Sequence, residues 1–275
     1  MVMAFSPYSK SPVIIAIACA LSPQPVMGAA SRWEVTDGGR LRIVTEPWQK
    51  GMATLRGALQ IELEPGWKTY WREPGSAGIP PQVTVAGDAA RVAIHFPVPN
   101  WVDDDYGSWA GYKHPVTLPL TFTLSGNGSP HDIAADVFLG ICKDICVPVS
   151  AHFEVPLTAS AGSSLQTMQV DAAFAALPGG NSASLSIGTP SWTDDGRLQI
   201  SLVHTSGDGK AELFLSAGAE HQFRKPVAVS DDGTTTVFRA DPLFEPGKNG
   251  DVELIVAARR GDDTAETAMP MPAPF

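Results

Sequence analysis

Cys142 and Cys146 stand in the run FLGICKDICVP, three residues apart and flanked by apolar, strand-like segments. Two thiols at this spacing can cycle between dithiol and disulfide, staple the fold, or hold a soft metal ion. A disulfide needs Cα atoms within about 7 Å, whereas four steps along an extended strand cover about 13 Å. The chain must therefore reverse between the cysteines, and Lys143, Asp144 and Ile145 suit a three-residue connection between VFLGIC and CVPVSAHFEV. One helical turn would also bring them together, but the β-branched flanks and Pro148 argue against it. Closing so small a loop removes little unfolded-state entropy, so a staple here contributes less than a long-range one. On spacing alone the staple and the redox pair both stand, with a metal site as the minority reading.

Other chemistries find less support. The pair is not Cys-x-x-Cys, and the surrounding pattern lacks the βαβ context of a thioredoxin-like motif. His95, His114 and His152 are candidates to join the thiolates around Cu(I), yet the six histidines are scattered and none pairs with another at ligand spacing. Neither G-x-S-x-G nor H-E-x-x-H occurs. No metal ligands are assigned, and no cofactor is expected.

The compartment decides what a cysteine pair means, because disulfides persist outside the cytosol and are reduced within it. Lys10 is followed by the apolar run PVIIAIACAL and then by Gly28, Ala29 and Ala30, the layout of a cleavable secretory leader ending near residues 28–30. The third cysteine, Cys19, falls inside that leader; Ala16 before it is poor for a lipidation motif. Losing the leader removes Lys10 and takes the formal charge of −10 to about −11. So acidic a chain, without a basic patch, is not expected to bind nucleic acid or an anionic membrane surface. No other apolar run approaches the ~20 residues of a span, so an exported protein without stable membrane insertion is expected, in the periplasm of a Gram-negative cell.

The elements that must position the cysteines read as β. Gly and Pro punctuate short alternating segments: ATLRGALQIEL, QVTVAG, RVAIHFPV, VTLPLTFTL, DVFLGIC and AHFEVPL, then RLQISLVH, AELFLSA, TTTVFRA and DVELIVAA. Many short strands with turns between them predict sandwiches. Between the two sets, Ser163 and Ser164 precede a helix expected over about Leu165 to Leu177, stopped by Pro178 and Gly179. The expected divisions are a leader over 1–30, a first sandwich over 31–160, a linker with a short helix over 161–182 and a second sandwich over 183–275. Pro270, Pro272 and Pro274 read as a mobile tail.

Three segments in order, EPGWKTYWREPGSAGIPP, WVDDDYGSWAGYKHPVTLPL and FLGICKDICVP, resemble the N-terminal periplasmic domain of DsbD-type thiol-disulfide interchange proteins, within the branch that includes the ScsB proteins. The resemblance covers about Trp33 to Leu157 with specific motifs, and the second β region more loosely. It implies an all-β chain of two immunoglobulin-like sandwiches, with Cys142 and Cys146 as a redox pair near one end of the first. It also implies transient mixed disulfides, with Cys146, followed by Val147 and Pro148, attacked or attacking and Cys142 resolving. Lys143 favours a thiolate while Asp144 and the acidic run Asp103, Asp104 and Asp105 oppose it, so no net shift of the cysteines is expected.

In the family an acidic and aromatic loop shields the disulfide. Asp103, Asp104, Asp105, Tyr106 and Gly107 match it here, but Asp105 stands where relatives place an aromatic residue, leaving Tyr106, Trp109 or Tyr112 to substitute. The family's aromatic wall maps onto Trp67 and Tyr70, beside Trp71. Relatives continue into membrane and thioredoxin-like domains, whereas this chain ends at Phe275. The expected donor is thus a separate membrane thiol reductant of the DsbD or CcdA type. The expected acceptors are oxidised periplasmic thiol proteins, such as a disulfide isomerase, a cytochrome c maturation factor or a peroxide-reducing protein. Two other readings are an adaptor with a structural disulfide and, from the branch's association with copper tolerance, a periplasmic copper-binding protein.

Overall fold

The computed structural model describes residue 1 and residues 30–75, 78–104, 107–125, 131–157, 164–205, 209–245 and 252–273. The expected leader, with Cys19, lies outside the described residues apart from its two ends. In chain order the first set of strands is β1 (Glu34–Thr36), β2 (Gly39–Thr45), β3 (Thr54–Leu63), β4 (Lys68–Tyr70), β5 (Gln82–Gly87), β6 (Ala89–Ile94), β7 (Asn100–Asp104), β8 (Gly107–Tyr112), β9 (Val116–Leu124), β10 (Asp132–Cys142) and β11 (Cys146–Pro156). After helix α1 (Ser164–Ala175) come β12 (Leu185–Ile187), β13 (Ser191–Trp192), β14 (Leu198–His204), β15 (Ala211–Ser216), β16 (Val227–Asp231), β17 (Thr235–Ala240), β18 (Glu253–Arg260) and β19 (Asp263–Pro270).

These strands build two antiparallel sandwiches. The first pairs a sheet of order β1-β2-β3-β9-β6 with one of order β11-β10-β4-β8-β7, to which β5 adds on β10. The second pairs β12-β14-β17-β16, with β13 on β14, against β15-β18-β19. Period-two patterning decides which side chains meet. On β10, Ile133, Ala135, Val137, Leu139 and Ile141 point into the first core, where they meet Val149, Ala151, Phe153 and Val155 of β11 and Leu41, Leu59, Leu118 and Phe122 of the facing sheet. Leu198, Ile200 and Leu202 of β14 do the same for the second core, opposite Leu213, Leu254 and Val256.

Helix α1 begins and ends within two residues of the expected span, and backbone bonds continue its last turn to Leu177. Its Val170 and Ala173 pack on Val44 and Ala58, and Asp171 accepts a bond from Arg56 Nη2 at 2.7 Å, so the helix covers the outer face of the β2–β3 pair. Of the three prolines near the end, Pro274 lies outside the described residues and the other two are held. Pro270 closes β19, and the Pro272 carbonyl accepts a bond from Trp192 Nε1 at 2.8 Å.

The two sandwiches meet along β15 and β18. In β15, Leu213 and Leu215 face the second core while Phe214 between them packs into the first, so the strand is buried on both faces. The Phe214 ring stacks on Trp101 at 5.2 Å and meets Trp71 edge-on at 6.0 Å. Arg72 holds Glu266 with two bonds of 3.0 and 3.2 Å, Gln222 Nε2 donates to Glu73, and Lys225 pairs with Asp103. No helix among the described residues is long and apolar enough to cross a membrane.

Candidate functional site

Cys142 ends β10 and Cys146 begins β11; the two are directly paired in register, with Cα atoms 4.1 Å apart and the sulfurs bonded. Lys143, Asp144 and Ile145 make the connection, closed by a bond from the Lys143 N–H to the Ile145 carbonyl at 3.2 Å. The three-residue reversal expected from the spacing is what the chain forms. Cys142 stands one position beyond the inward-facing Ile141, so its side chain falls on the outer face of its sheet. There it belongs to a small cluster of its own with Tyr70, Val102 and Trp109, separate from the main core.

The two sulfurs differ in access. Cys142 is 1% exposed, while Cys146, on the edge strand β11, is open to solvent. The Tyr70 oxygen lies 3.0 Å from Cys146 Sγ and 3.2 Å from Cys142 Sγ. Neither sulfur of a disulfide carries a proton, so the phenol is the donor, its single proton shared between the two. Tyr70 is itself fixed, 4% exposed and edge-on to Trp109 at 5.5 Å. Above Trp109 lies the Lys68 ammonium, 4.6 Å from the ring centroid, and Lys68 is the register partner of Cys142 on β4.

The remaining residues singled out from the sequence are placed as follows. Trp67 covers the β1–β2 turn: a Cβ on Gly38, whose φ is +80°, would fall 2.0 Å from its ring. It packs partly buried against the main core, away from the Tyr70 cluster. Tyr112 alternates with Trp109 on β8 and faces inward, donating to the Pro97 carbonyl at 2.7 Å; burial pushes its phenol well above the usual range. Trp71 is likewise inward, against Phe214. Asp103 accepts from Ser108 Oγ at 2.5 Å and from Lys225 Nζ at 2.8 and 3.0 Å, and these two donors hold its carboxyl below the ordinary range. Asp104 is paired with Gly107 across the β7–β8 hairpin; its side chain, Asp105 and Tyr106 lie outside the described residues. Lys143 is exposed beside the Gly66 turn, and Pro148 is exposed on β11 opposite Gly140.

Two participants escaped the sequence reading: Val102, which closes the cluster over Cys142, and Lys68, which caps Trp109. Their signal was alternation within WVDD and KTYW, legible once both are known to be strands. No group of three or more His, Cys, Asp or Glu side chains suited to a metal forms among the described residues.

An exposed sulfur bonded to a buried one, with one hydroxyl donor within reach of both, is suited to thiol–disulfide exchange, because a thiolate can reach one sulfur while the other leaves into a prepared site. Comparison with known proteins agrees with that chemistry. Residues 47–158 match the family described as thiol:disulfide interchange protein DsbD, N-terminal. Among solved structures, the N-terminal periplasmic domain of ScsB from Proteus mirabilis superposes with a TM-score of 0.75 at 19% identity, covering 90% of this chain and 100% of that one. No curated protein matches the chain. The stretch from residue 47 to 158 is thus similar to a DsbD-type N-terminal domain by its family match, set in a two-sandwich fold shared with the ScsB domain.

Proposed function

We propose that this chain is a periplasmic electron relay: it takes two electrons from a membrane thiol reductant of the DsbD or CcdA type and passes them to oxidised periplasmic thiol proteins. The observation that carries the reading is the asymmetry of the disulfide, with Cys146 exposed, Cys142 buried and the Tyr70 hydroxyl on both sulfurs. In the receiving step a donor thiolate attacks Cys146 Sγ. A bond forms between the two proteins, the Cys142–Cys146 bond breaks, and the electron pair leaves on Cys142 Sγ within reach of the Tyr70 hydroxyl. The donor's second thiolate then attacks its own sulfur in the mixed disulfide and releases a dithiol. In the delivering step the Cys146 thiolate attacks the acceptor's disulfide. Cys142 resolves the adduct by attacking Cys146 Sγ, and the acceptor leaves as a dithiol. Two electrons move each way, and no cofactor is required.

The deciding measurement is the redox equilibrium of the pair in defined glutathione or dithiothreitol buffers, read on the folded protein by thiol alkylation and mass. The relay predicts a potential of roughly −180 to −280 mV with fast exchange. A value below about −300 mV, with reduction only on unfolding, would overturn it and leave an adaptor with a structural disulfide.

A further inference from the structure

The β7–β8 hairpin is held from both sides. On its outer face Val102 and Trp109 close over Cys142 together with Tyr70. On the other, Trp101 stacks on Phe214 at 5.2 Å, with an interplanar angle of 10°, and donates its Nε1 to the Leu213 carbonyl at 2.9 Å. Asp103 receives two bonds from Lys225, and Arg259 donates to Asn100 Oδ1 at 3.1 Å. Three of the five residues of β7 therefore anchor their side chains on the second sandwich.

The first sandwich holds the two strands of this hairpin unequally. Among the described residues β7 is an edge strand paired only with β8, whereas β8 is seated on β4 by two register pairs, Thr69 with Tyr112 and Tyr70 with Gly111, and by backbone bonds from the Trp71 N–H to the Ala110 carbonyl at 3.1 Å and from the Ala110 N–H to the Pro74 carbonyl at 3.4 Å. An edge strand has backbone partners on one side alone, so the outer strand β7 depends more than β8 on what its side chains touch. Trp101 and Asp103, on the face of β7 opposite Val102, give that strand a hold on the second sandwich in addition to its pairing with β8.

We propose that the second sandwich is a positioning element for the exchange reaction, with Phe214 and Lys225 clamping β7 so that the hairpin stays closed over Cys142 and attack is confined to Cys146. The inference rests on the relay reading and gives the second sandwich a part in it. Attack at Cys146 expels the electron pair onto Cys142, beside Tyr70; attack at Cys142 would expel it onto Cys146, in solvent. A loosened hairpin exposes the second route and costs the site its choice between the two sulfurs.

The test is the ratio of alkylation at Cys146 to that at Cys142 in the reduced, folded full chain under limiting iodoacetamide, read by peptide mass. Wild type is expected to react first at Cys146. Lys225→Asp and Asp103→Lys should each lower the ratio about three- to fivefold, the scale of an exposed ion pair. The double exchange Asp103→Lys with Lys225→Asp should restore it, which a general loss of folding could not produce. Phe214→Leu, which keeps the site apolar, should lower the ratio in the same direction. Unchanged ratios in the single reversals, or a loss that the double exchange does not repair, overturn the proposal. The ratio is read on the dithiol form and is independent of the potential, so a failed relay appears in the redox titration and a failed clamp in the ratio.

Discussion

At the scale of single residues, one β-register places the disulfide's two ends in different surroundings. Cys146 begins an edge strand and meets solvent; Cys142 ends an interior strand and is roofed by Val102 and Trp109. Cys142→Ser should therefore leave a reactive thiol that accumulates mixed disulfides with its partners. Cys146→Ser leaves a covered thiol that alkylates at least about tenfold more slowly, since access limits the reaction. Mass-resolved alkylation of the two variants, each folded, compares them directly. Tyr70→Phe tests the donor. It keeps the ring that meets Trp109 at 5.5 Å and removes only the hydroxyl at the sulfurs. A hydrogen bond to a charged group contributes about 1.5–3 kcal/mol, so losing it from the departing thiolate should slow exchange with dithiothreitol about tenfold or more. Stopped-flow reduction of the oxidised protein supplies the rate, and an unchanged rate would remove Tyr70 from the reaction.

At the scale of elements, the site depends on how closely β4 and β8 approach. A Cβ added at Gly111 would lie 2.3 Å from the Thr69 carbonyl oxygen and 2.9 Å from the Trp109 ring. Gly111→Ala must therefore push β8 off β4, the strand that carries Tyr70, at an overpacking cost of about 1–3 kcal/mol. Urea denaturation should show that loss, and dithiothreitol reduction should show a faster rate as the cluster over Cys142 opens. Much of this layout was legible beforehand. The alternation of DVFLGIC and AHFEVPL, broken by Lys143, Asp144 and Ile145 between the cysteines, fixes a hairpin with the cysteines at its mouth, and the helix stops where Pro178 and Gly179 require. The run WVDDDYGSW was harder, because three aspartates suggest a solvated turn, while the chain pairs Asn100–Asp104 with Gly107–Tyr112 as strands. Its side-chain partners lie far along the sequence, Phe214 and Lys225, so nothing local could announce them. The same holds for Trp67 and Tyr112, aromatics of the right motif whose strand parity or turn position sends them to the core instead of the disulfide. In AELFLSA the consecutive Leu213, Phe214 and Leu215 carried a signal, a strand with two buried faces, whose second face became readable only with the neighbouring sandwich in place.

At the scale of the whole molecule, the junction between the sandwiches is apolar at its centre and buries two carboxyls, Glu73 and Glu266, at its margin, which makes its stability depend on pH. Glu73 is 9% exposed, accepting from Gln222 Nε2 at 3.2 Å and from the Gly75 N–H, and burial raises its carboxyl from 4.5 to about 7. Arg224, Lys225 and Asp241 line the same cleft of about 470 Å³. Glu266, across the junction, is also raised by burial, with Arg72 opposing the shift. Below the unfolded value of 4.5, Glu73 is protonated in both states and the native fold bears no ionisation penalty. As pH rises from there to about 7, the unfolded chain releases its proton while the native state keeps it, so stability falls through that window and then levels. Glu266 acts in the same direction. Glu73→Gln keeps the shape and hydrogen-bonding capacity of the group without a charge to bury, so it should flatten the profile and gain on the order of 2 kcal/mol at pH 8 while changing little at pH 4. Denaturant titrations of both proteins at pH 4, 6 and 8 measure this directly. A variant that tracks the wild type at every pH would mean that water reaches Glu73 in solution and that the junction is more open than its packing around Phe214 implies.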